Sequence, residues 1–205
     1  MKHLIAHEQL LLAAQELPDA VGTLLGSNGA LTLKSRRRAP LFEYLCSTVV
    51  AQQLSSKAAD SIWARVKALP KQRGMSLAEF AASDDWEELH SCGLSRNKVR
   101  ALRELSLRDA EGTLNPRQMR KLDTSALIER LTELWGFGPW SAEMVAMFYF
   151  GHEDIWSDGD VSLQRGLERL SGGRKRVAAR ILRGVRPHRS YFALHVWRGL
   201  DSGVL

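Results

Sequence analysis

Apolar positions recur three and four residues apart along most of this 205-residue chain, and strand-like alternation is scarce. That pattern predicts an all-α protein. The expected helices are His3 to Glu16, stopped by Pro18; Asp19 to Leu25, stopped by Gly26; and a long helix opened by Pro40 through "LFEYLCSTVVAQQL". "SSKAADSIWARVKAL" follows, with Ser55 or Ser56 as its N-cap. Short capped helices are expected over Ser76 to Ala82 and Asp84 to Ser91, then a longer one over "LSRNKVRALRELSLRDA", with Val99, Leu102 and Leu105 on its buried side. Gly112 to Pro116 reads as a turn. Helices then run Asp123 to Trp135, Pro139 to Phe150, Asp160 to Leu170, Arg174 to Arg183 and Ser190 to Leu200. "GSNGALTLKSRRRAP" is a turn-rich basic connector whose "LTLK" could form a short extended piece. No solenoid-like repeat or low-complexity tract interrupts the pattern.

Composition narrows this only a little. Apolar residues make up 44%, enough for a sizeable core. A net charge of +6 tilts the expectation towards a polyanionic partner. Two cysteines, Cys46 and Cys92, fit a reducing compartment and exclude a four-cysteine iron–sulfur or zinc site within the chain. The six histidines show no metal-site spacing. No apolar run is long enough to span a membrane, and the N-terminus lacks a signal-peptide pattern. A bacterial cytoplasmic setting is expected, or a nuclear one in a eukaryote, with no membrane partner.

Two local features carry chemistry. "LWGFGPWSA" holds Gly136 and Gly138 around Phe137, with Pro139 at the first turn of the next helix. One reading is a glycine C-cap and a sharp helix–helix turn. The other is a phosphate site made of outward N–H groups and a helix dipole, indifferent to base sequence. Phe137 would pack inward in either. Downstream, "SDGDVSLQRG" sets Asp158 and Asp160 two apart before an apolar-periodic run. One aspartate is explained as an N-cap; the second is not. A carboxylate held ionised beside a reacting centre explains it. Magnesium binding would need further acids, and no third one stands in a matching motif.

In this order and spacing, these features resemble the helix-hairpin-helix DNA glycosylase superfamily, and within it the alkylpurine branch, 3-methyladenine DNA glycosylase II. The resemblance rests on Val49 to Val66, Leu89 to Leu105, Leu131 to Leu170 and Arg186 to Leu200. It implies a two-lobed helical fold with a cleft between lobes, in one domain over 1–205 (hairpin 131–143, catalytic segment 152–170) without a separate N-terminal β domain. It implies double-stranded DNA with alkylated bases as the partner of a monomer, and a base flipped out of the duplex.

The family's catalytic aspartate falls on Asp160, leaving Asp158 a polar or capping role. Bifunctional members carry a lysine where this chain has Trp140, so a monofunctional hydrolase without lyase activity is implied. The carboxylate would stabilise an oxocarbenium-like sugar as the base leaves, and orient water. Trp140 is the first candidate for an aromatic base pocket, with Tyr44, Phe42 and Trp197 behind it; a helix tryptophan can equally be core. The family's wedge position falls on Gln53, with Leu54 beside it. Phosphate would be held by the N–H groups of Gly136, Gly138 and Trp140, with Lys57 a possible further contact. No cofactor is required. A monovalent cation could sit on the carbonyls of Thr132, Leu134 and Phe137. Basic clusters at Lys34 to Arg38, Arg96 to Arg100 and Gly172 to Arg176 could neutralise phosphates or simply be solvated. The alternatives are a non-catalytic helix-hairpin-helix DNA-binding module, and a glycosylase for deaminated or etheno bases.

Overall fold

The computed structural model describes all residues except Arg37, Asp84 and Asp85, and the side chain of Ser56. Its helices are α1 (Lys2–Ala14), α2 (Asp19–Asn28), α3 (Leu41–Ala51), α4 (Ser56–Gln72), α5 (Leu77–Ala82), α6 (Trp86–Ser91), α7 (Arg96–Ala110), α8 (Pro116–Met119), α9 (Thr124–Thr132), α10 (Pro139–Val145), α11 (Val161–Ser171), α12 (Lys175–Gly184) and α13 (Arg189–Ser202). A π-helical stretch, Ala146–Phe150, continues α10. There is no strand among the described residues, so the all-α expectation holds and Leu31 to Lys34 forms none.

Several boundaries differ from the sequence expectation for identifiable reasons. Gly26 does not stop α2, which runs to Asn28 and ends where Gly29 turns left-handed at φ +60°. Pro116 starts a helix rather than closing a turn: Asn115 accepts from the N–H groups of Arg117 and Gln118 at 3.0 and 3.3 Å, and Pro116 needs no donor at N1. Pro70 lies inside α4, near its end. The expected helix over Asp84 to Ser91 starts outside the described residues and is helical from Trp86.

The chain divides into two compact units, one of residues 36–149 and one of residues 1–35 with 150–205. In the first, α3 buries Leu41, Phe42, Leu45, Cys46, Val49 and Val50, two stripes of i, i+4 neighbours. It packs on α7 through Val99, Ala101, Leu102 and Leu105, and α7 also covers α5. Ser55, Ser76, Ser95 and Asp123 cap the helices that follow them.

The second unit is built on α11 and α13, with α2 against α13. Two glycines set the spacing. A Cβ on Gly166 would come within 2.2 Å of Val196 Cγ1, and one on Gly199 within 2.4 Å of Leu24 Cδ1. The stretch before α11 is pinned to the start of α13. Asp154 takes hydrogen bonds from the Arg189 guanidinium at 2.7 and 3.0 Å, Ser190 Oγ donates to the His152 carbonyl at 2.8 Å, and the Ile155 N–H donates to Ser190 Oγ at 3.0 Å. Burial pushes the Asp154 carboxyl up, but the bonds and charge of Arg189, helped by Arg186, hold it below its ordinary value.

Candidate nucleic-acid interface and carboxylate site

In the first unit, α9 ends at Thr132 and the chain turns through Gly136, Phe137 and Gly138 into α10. Gly136 sits at φ +85°, and a Cβ there would lie 3.1 Å from the Ala101 Cβ of α7. Conformation and space both demand glycine. Gly138 differs: its φ of −90° suits any residue, and among the described residues beyond its chain neighbours nothing lies within 4 Å of an added Cβ. The sequence reading credited both glycines alike; only Gly136 has an internal reason. Gly138 leaves the backbone open to something outside. Both glycines are exposed, and among the described residues nothing accepts from their N–H groups. Phe137 is buried as expected, and its N–H donates to the Leu134 carbonyl at 3.0 Å. Thr132 spends its hydroxyl on the Glu129 carbonyl. Trp140, 38% exposed, stands in the first turn of α10.

The turn between α3 and α4 contains the one non-glycine residue with positive φ among those described, Gln53 at +57°. A left-handed glutamine costs about 1 kcal/mol or more and persists only where neighbours enforce it. Gln53 and Leu54 are both exposed at this turn. Gln52 points the other way. Its Nε2 donates to the Gly136 carbonyl at 2.8 Å and to the buried Ser141 Oγ at 3.1 Å. Lys57 is exposed at the start of α4.

The basic run Arg96 to Arg100 divides its labour. Lys98 turns inward and donates to the carbonyls of Val50 and Gln52, both at 2.8 Å. It is no free surface charge, and burial lowers the pKa of its ammonium. Arg100 lies over the Trp135 ring, 3.6 Å from its centroid, next to the hairpin.

Phe42 and Tyr44 do not share a wall. Residues two positions apart on a helix point about 200° apart. Phe42 lines a cavity of about 310 Å³ with Leu77, Asp109 and Leu114, while the Tyr44 ring packs on Tyr149 with centroids 5.0 Å apart. Burial, opposed by the charge of Arg36, pushes the Tyr44 phenol up to about 12.

In the second unit, Asp160 is the N-cap of α11, and its Oδ1 accepts from the Leu163 N–H at 2.9 Å. The Trp197 indole N–H also donates to Oδ1, at 3.3 Å. Trp197 therefore orients the carboxylate, a task that its candidacy as a pocket wall did not include. Asp158 is exposed and takes Gln164 Nε2 on its carbonyl and side chain at 3.2 and 3.4 Å. The two acids thus separate into a cap fixed at the head of a helix and a surface residue. In Gly172 to Arg176, Gly172 at φ +59° ends α11, and Lys175 and Arg176 are exposed.

Gln52, Lys98, Ser141 and Arg100 were not singled out by sequence reasoning. Their partners lie 35 to 89 residues away along the chain, beyond the reach of local periodicity.

Comparison with known proteins places the chain in a family. The pattern described as "HhH-GPD superfamily base excision DNA repair protein" matches residues 46–186, a span that contains the Gln53 turn, the hairpin and Asp160. Among curated relatives, DNA-3-methyladenine glycosylase 1 of Schizosaccharomyces pombe is 30% identical over 138 residues, 67% of this chain and 60% of that protein. DNA-3-methyladenine glycosylase of Saccharomyces cerevisiae is 29% identical over 150 residues, 69% of this chain and 50% of that one. The chain thus spans roughly half to three fifths of these relatives. Among solved structures, a DNA-3-methyladenine glycosidase from Bacillus halodurans superposes with a TM-score of 0.78 at 29% identity, over 96% of this chain and 90% of that one. The Schizosaccharomyces pombe 3-methyladenine DNA glycosylase Mag1, in complex with abasic DNA, gives 0.79 at 25% identity, over 96% of each chain. A family match over more than half the chain leaves one assignment: this protein belongs to the HhH-GPD superfamily of base excision DNA repair proteins.

Proposed function

We propose that this protein is a monofunctional DNA glycosylase that hydrolyses the N-glycosidic bond of alkylated purines such as 3-methyladenine. The observation that carries the reading is Asp160. Its carboxylate is fixed at the head of α11 by a backbone N–H and oriented by the Trp197 indole. The names of the aligned relatives support the substrate class.

An alkylated purine carries positive charge and is already a good leaving group. The difficult part is the sugar, which becomes oxocarbenium-like as the bond lengthens. A pre-positioned carboxylate stabilises that charge without reorganising, and orients the water that completes hydrolysis. Trp140 supports the monofunctional reading, because indole cannot form the Schiff base that a lyase needs at this position. A partly exposed indole at this position suits stacking with a cationic base. The exposed Gln53 and Leu54 are the proposed wedge that fills the space left by the flipped nucleotide.

DNA would be held mainly through its backbone. The N–H groups of Gly136 and Gly138, which find no acceptor among the described residues, and the start of α10 suit phosphate oxygens. Arg100, steadied on Trp135, adds charge beside them. A monovalent cation would suit the neutral carbonyl oxygens of Thr132, Leu134 and Phe137; Leu134 already accepts one hydrogen bond and keeps a lone pair.

The test is single-turnover base release from methylated duplex DNA, with the released bases identified by chromatography. Wild type should release 3-methyladenine, and Asp160→Asn should be slower by about 100-fold or more. Asparagine caps a helix as well as aspartate does, so the fold should survive. A wild type that binds DNA yet releases no base would leave only the DNA-binding-module reading. Release confined to deaminated or etheno bases would keep the enzyme and change its substrate.

A further inference from the structure

Gln53 is held in a conformation that glutamine does not choose, and the groups holding it are visible. Lys98 reaches from the first turn of α7 to the carbonyls of Val50 and Gln52, on the chain just ahead of the left-handed residue. These are end carbonyls of α3, where the helix dipole favours a cation. Gln52 then spans to the hairpin, with one bond to the Gly136 carbonyl and one to Ser141 Oγ in α10. The third contact is steric: Gly136 packs so closely on Ala101 of α7 that no Cβ would fit without displacement. Three pieces distant in sequence, the Gln53 turn, α7 and the hairpin, are therefore joined in a closed ring of contacts. The desolvation of Lys98 agrees with an inward role.

Resting on the glycosylase reading above, we infer that Lys98 and Gln52 are positioning residues that lock the Gln53 turn to the Gly136 hairpin, so that wedge and phosphate clamp meet DNA as one preformed surface. Neither side chain needs to touch DNA. Lys98 neutralises and ties the end of α3, and Gln52 transmits that order to the hairpin carbonyl. Preformation matters because ordering a loop at the moment of binding would be deducted from the affinity available for flipping.

The experiment compares Lys98→Met, Lys98→Arg and Gln52→Glu with wild type by three readouts. Backbone hydrogen exchange is followed in 50–55 and 134–140. The salt dependence of binding to undamaged duplex is measured, and so is single-turnover base release at saturating enzyme. For Lys98→Met, exchange should rise about tenfold in both segments, release should slow at least tenfold, and the salt slope should stay unchanged. Lys98→Arg, which can still donate to both carbonyls, should restore at least half of the exchange protection. Gln52→Glu keeps the carbonyls that Lys98 holds but cannot donate to Gly136. It should loosen 134–140 and, through the ring, 50–55.

The inference is overturned if Lys98→Met leaves exchange unchanged in 134–140. It is also overturned if the salt slope drops by the increment of one phosphate contact, which would make Lys98 a direct ligand of DNA. Should Lys98→Met fail to fold, Gln52→Glu decides alone: loosening confined to 134–140 refutes the lock. Exchange and salt slope need no catalysis. Absence of base release by wild type would therefore sink the glycosylase reading without touching the lock.

Discussion

The hairpin and the carboxylate segment solve different problems with different parts of the chain. At the hairpin the proposed working groups are backbone N–H groups, and the residues around them would expose or brace them: Gly138 by leaving open space, Gly136 by accepting φ +85° against α7, Phe137 by burying its ring. In the carboxylate segment one side chain would carry the proposed chemistry and the backbone braces it, through the Leu163 N–H and a stretch tied to α13 by Asp154 and Ser190. Substitution should therefore act differently in the two places. At the hairpin, shape matters more than chemical identity. At Asp160, a change that preserves shape should abolish the chemistry.

The largest expected effect is on the carboxylate side, where Asp160→Asn lowers the excision rate by about 100-fold or more while duplex affinity stays within about twofold. A fall in affinity that matched the fall in rate would erase the contrast between the regions.

Next in size is Gly136→Ala, which meets both the left-handed backbone and the Ala101 contact at 3.1 Å. It should cost about 2 kcal/mol and lower the melting temperature by several degrees. Gly138→Ala meets neither obstacle, so its melting temperature should not move, while its affinity for undamaged duplex should fall about fivefold, about 1 kcal/mol. Equal thermal effects from the two alanines would remove the distinction drawn between them.

A third prediction concerns the frame around the carboxylate. His195 in α13 is buried and stacked on His7. Burial, then the charges of His7 and Arg198, push its imidazole from the ordinary 6.5 down to about 4. The folded protein thus holds this group neutral where the unfolded chain would take up a proton. Its share of stability is complete above pH 6.5 and is lost as pH falls from there towards 4, to a total of about 3 kcal/mol. His195→Gln should flatten the decline in melting temperature between pH 7 and pH 4.5; an unchanged profile would assign the decline to other groups. Smallest of all, Arg100→Ala should weaken duplex binding about threefold and reduce the salt slope by about one, with excision at saturation unchanged.

Legibility from sequence follows the same division. An N-cap before an apolar run is a local pattern, but it did not choose between the two acids: the resemblance left capping to Asp158, and Asp160 itself makes the cap. Gly136 was readable because Gly-x-Gly before proline marks a helix–helix turn. Family resemblance gave these residues roles that spacing alone left open. What the sequence hid was non-local. Lys98 in "RNKVR" looks like a solvated charge until α3 supplies its carbonyls, 46 and 48 residues earlier. Gln52 and Gln53 are identical letters at a helix end, and only the reversal of φ at Gln53 sends one inward and the other out. Phe42 and Tyr44 were grouped as pocket aromatics, although helical geometry alone separates residues two apart. Trp197 was read for its ring, and its N–H donates to Asp160.

The central claim is that backbone docking and side-chain chemistry are separable, and one paired measurement reaches it directly. Binding and single-turnover base release are recorded on the same methylated duplex for Asp160→Asn and Gly138→Ala. The account predicts that the first variant binds like wild type and releases bases about 100-fold more slowly. It predicts that the second binds about fivefold more weakly and, at saturating enzyme, releases bases at the wild-type rate. If both variants lose binding and release in the same proportion, the separation is wrong.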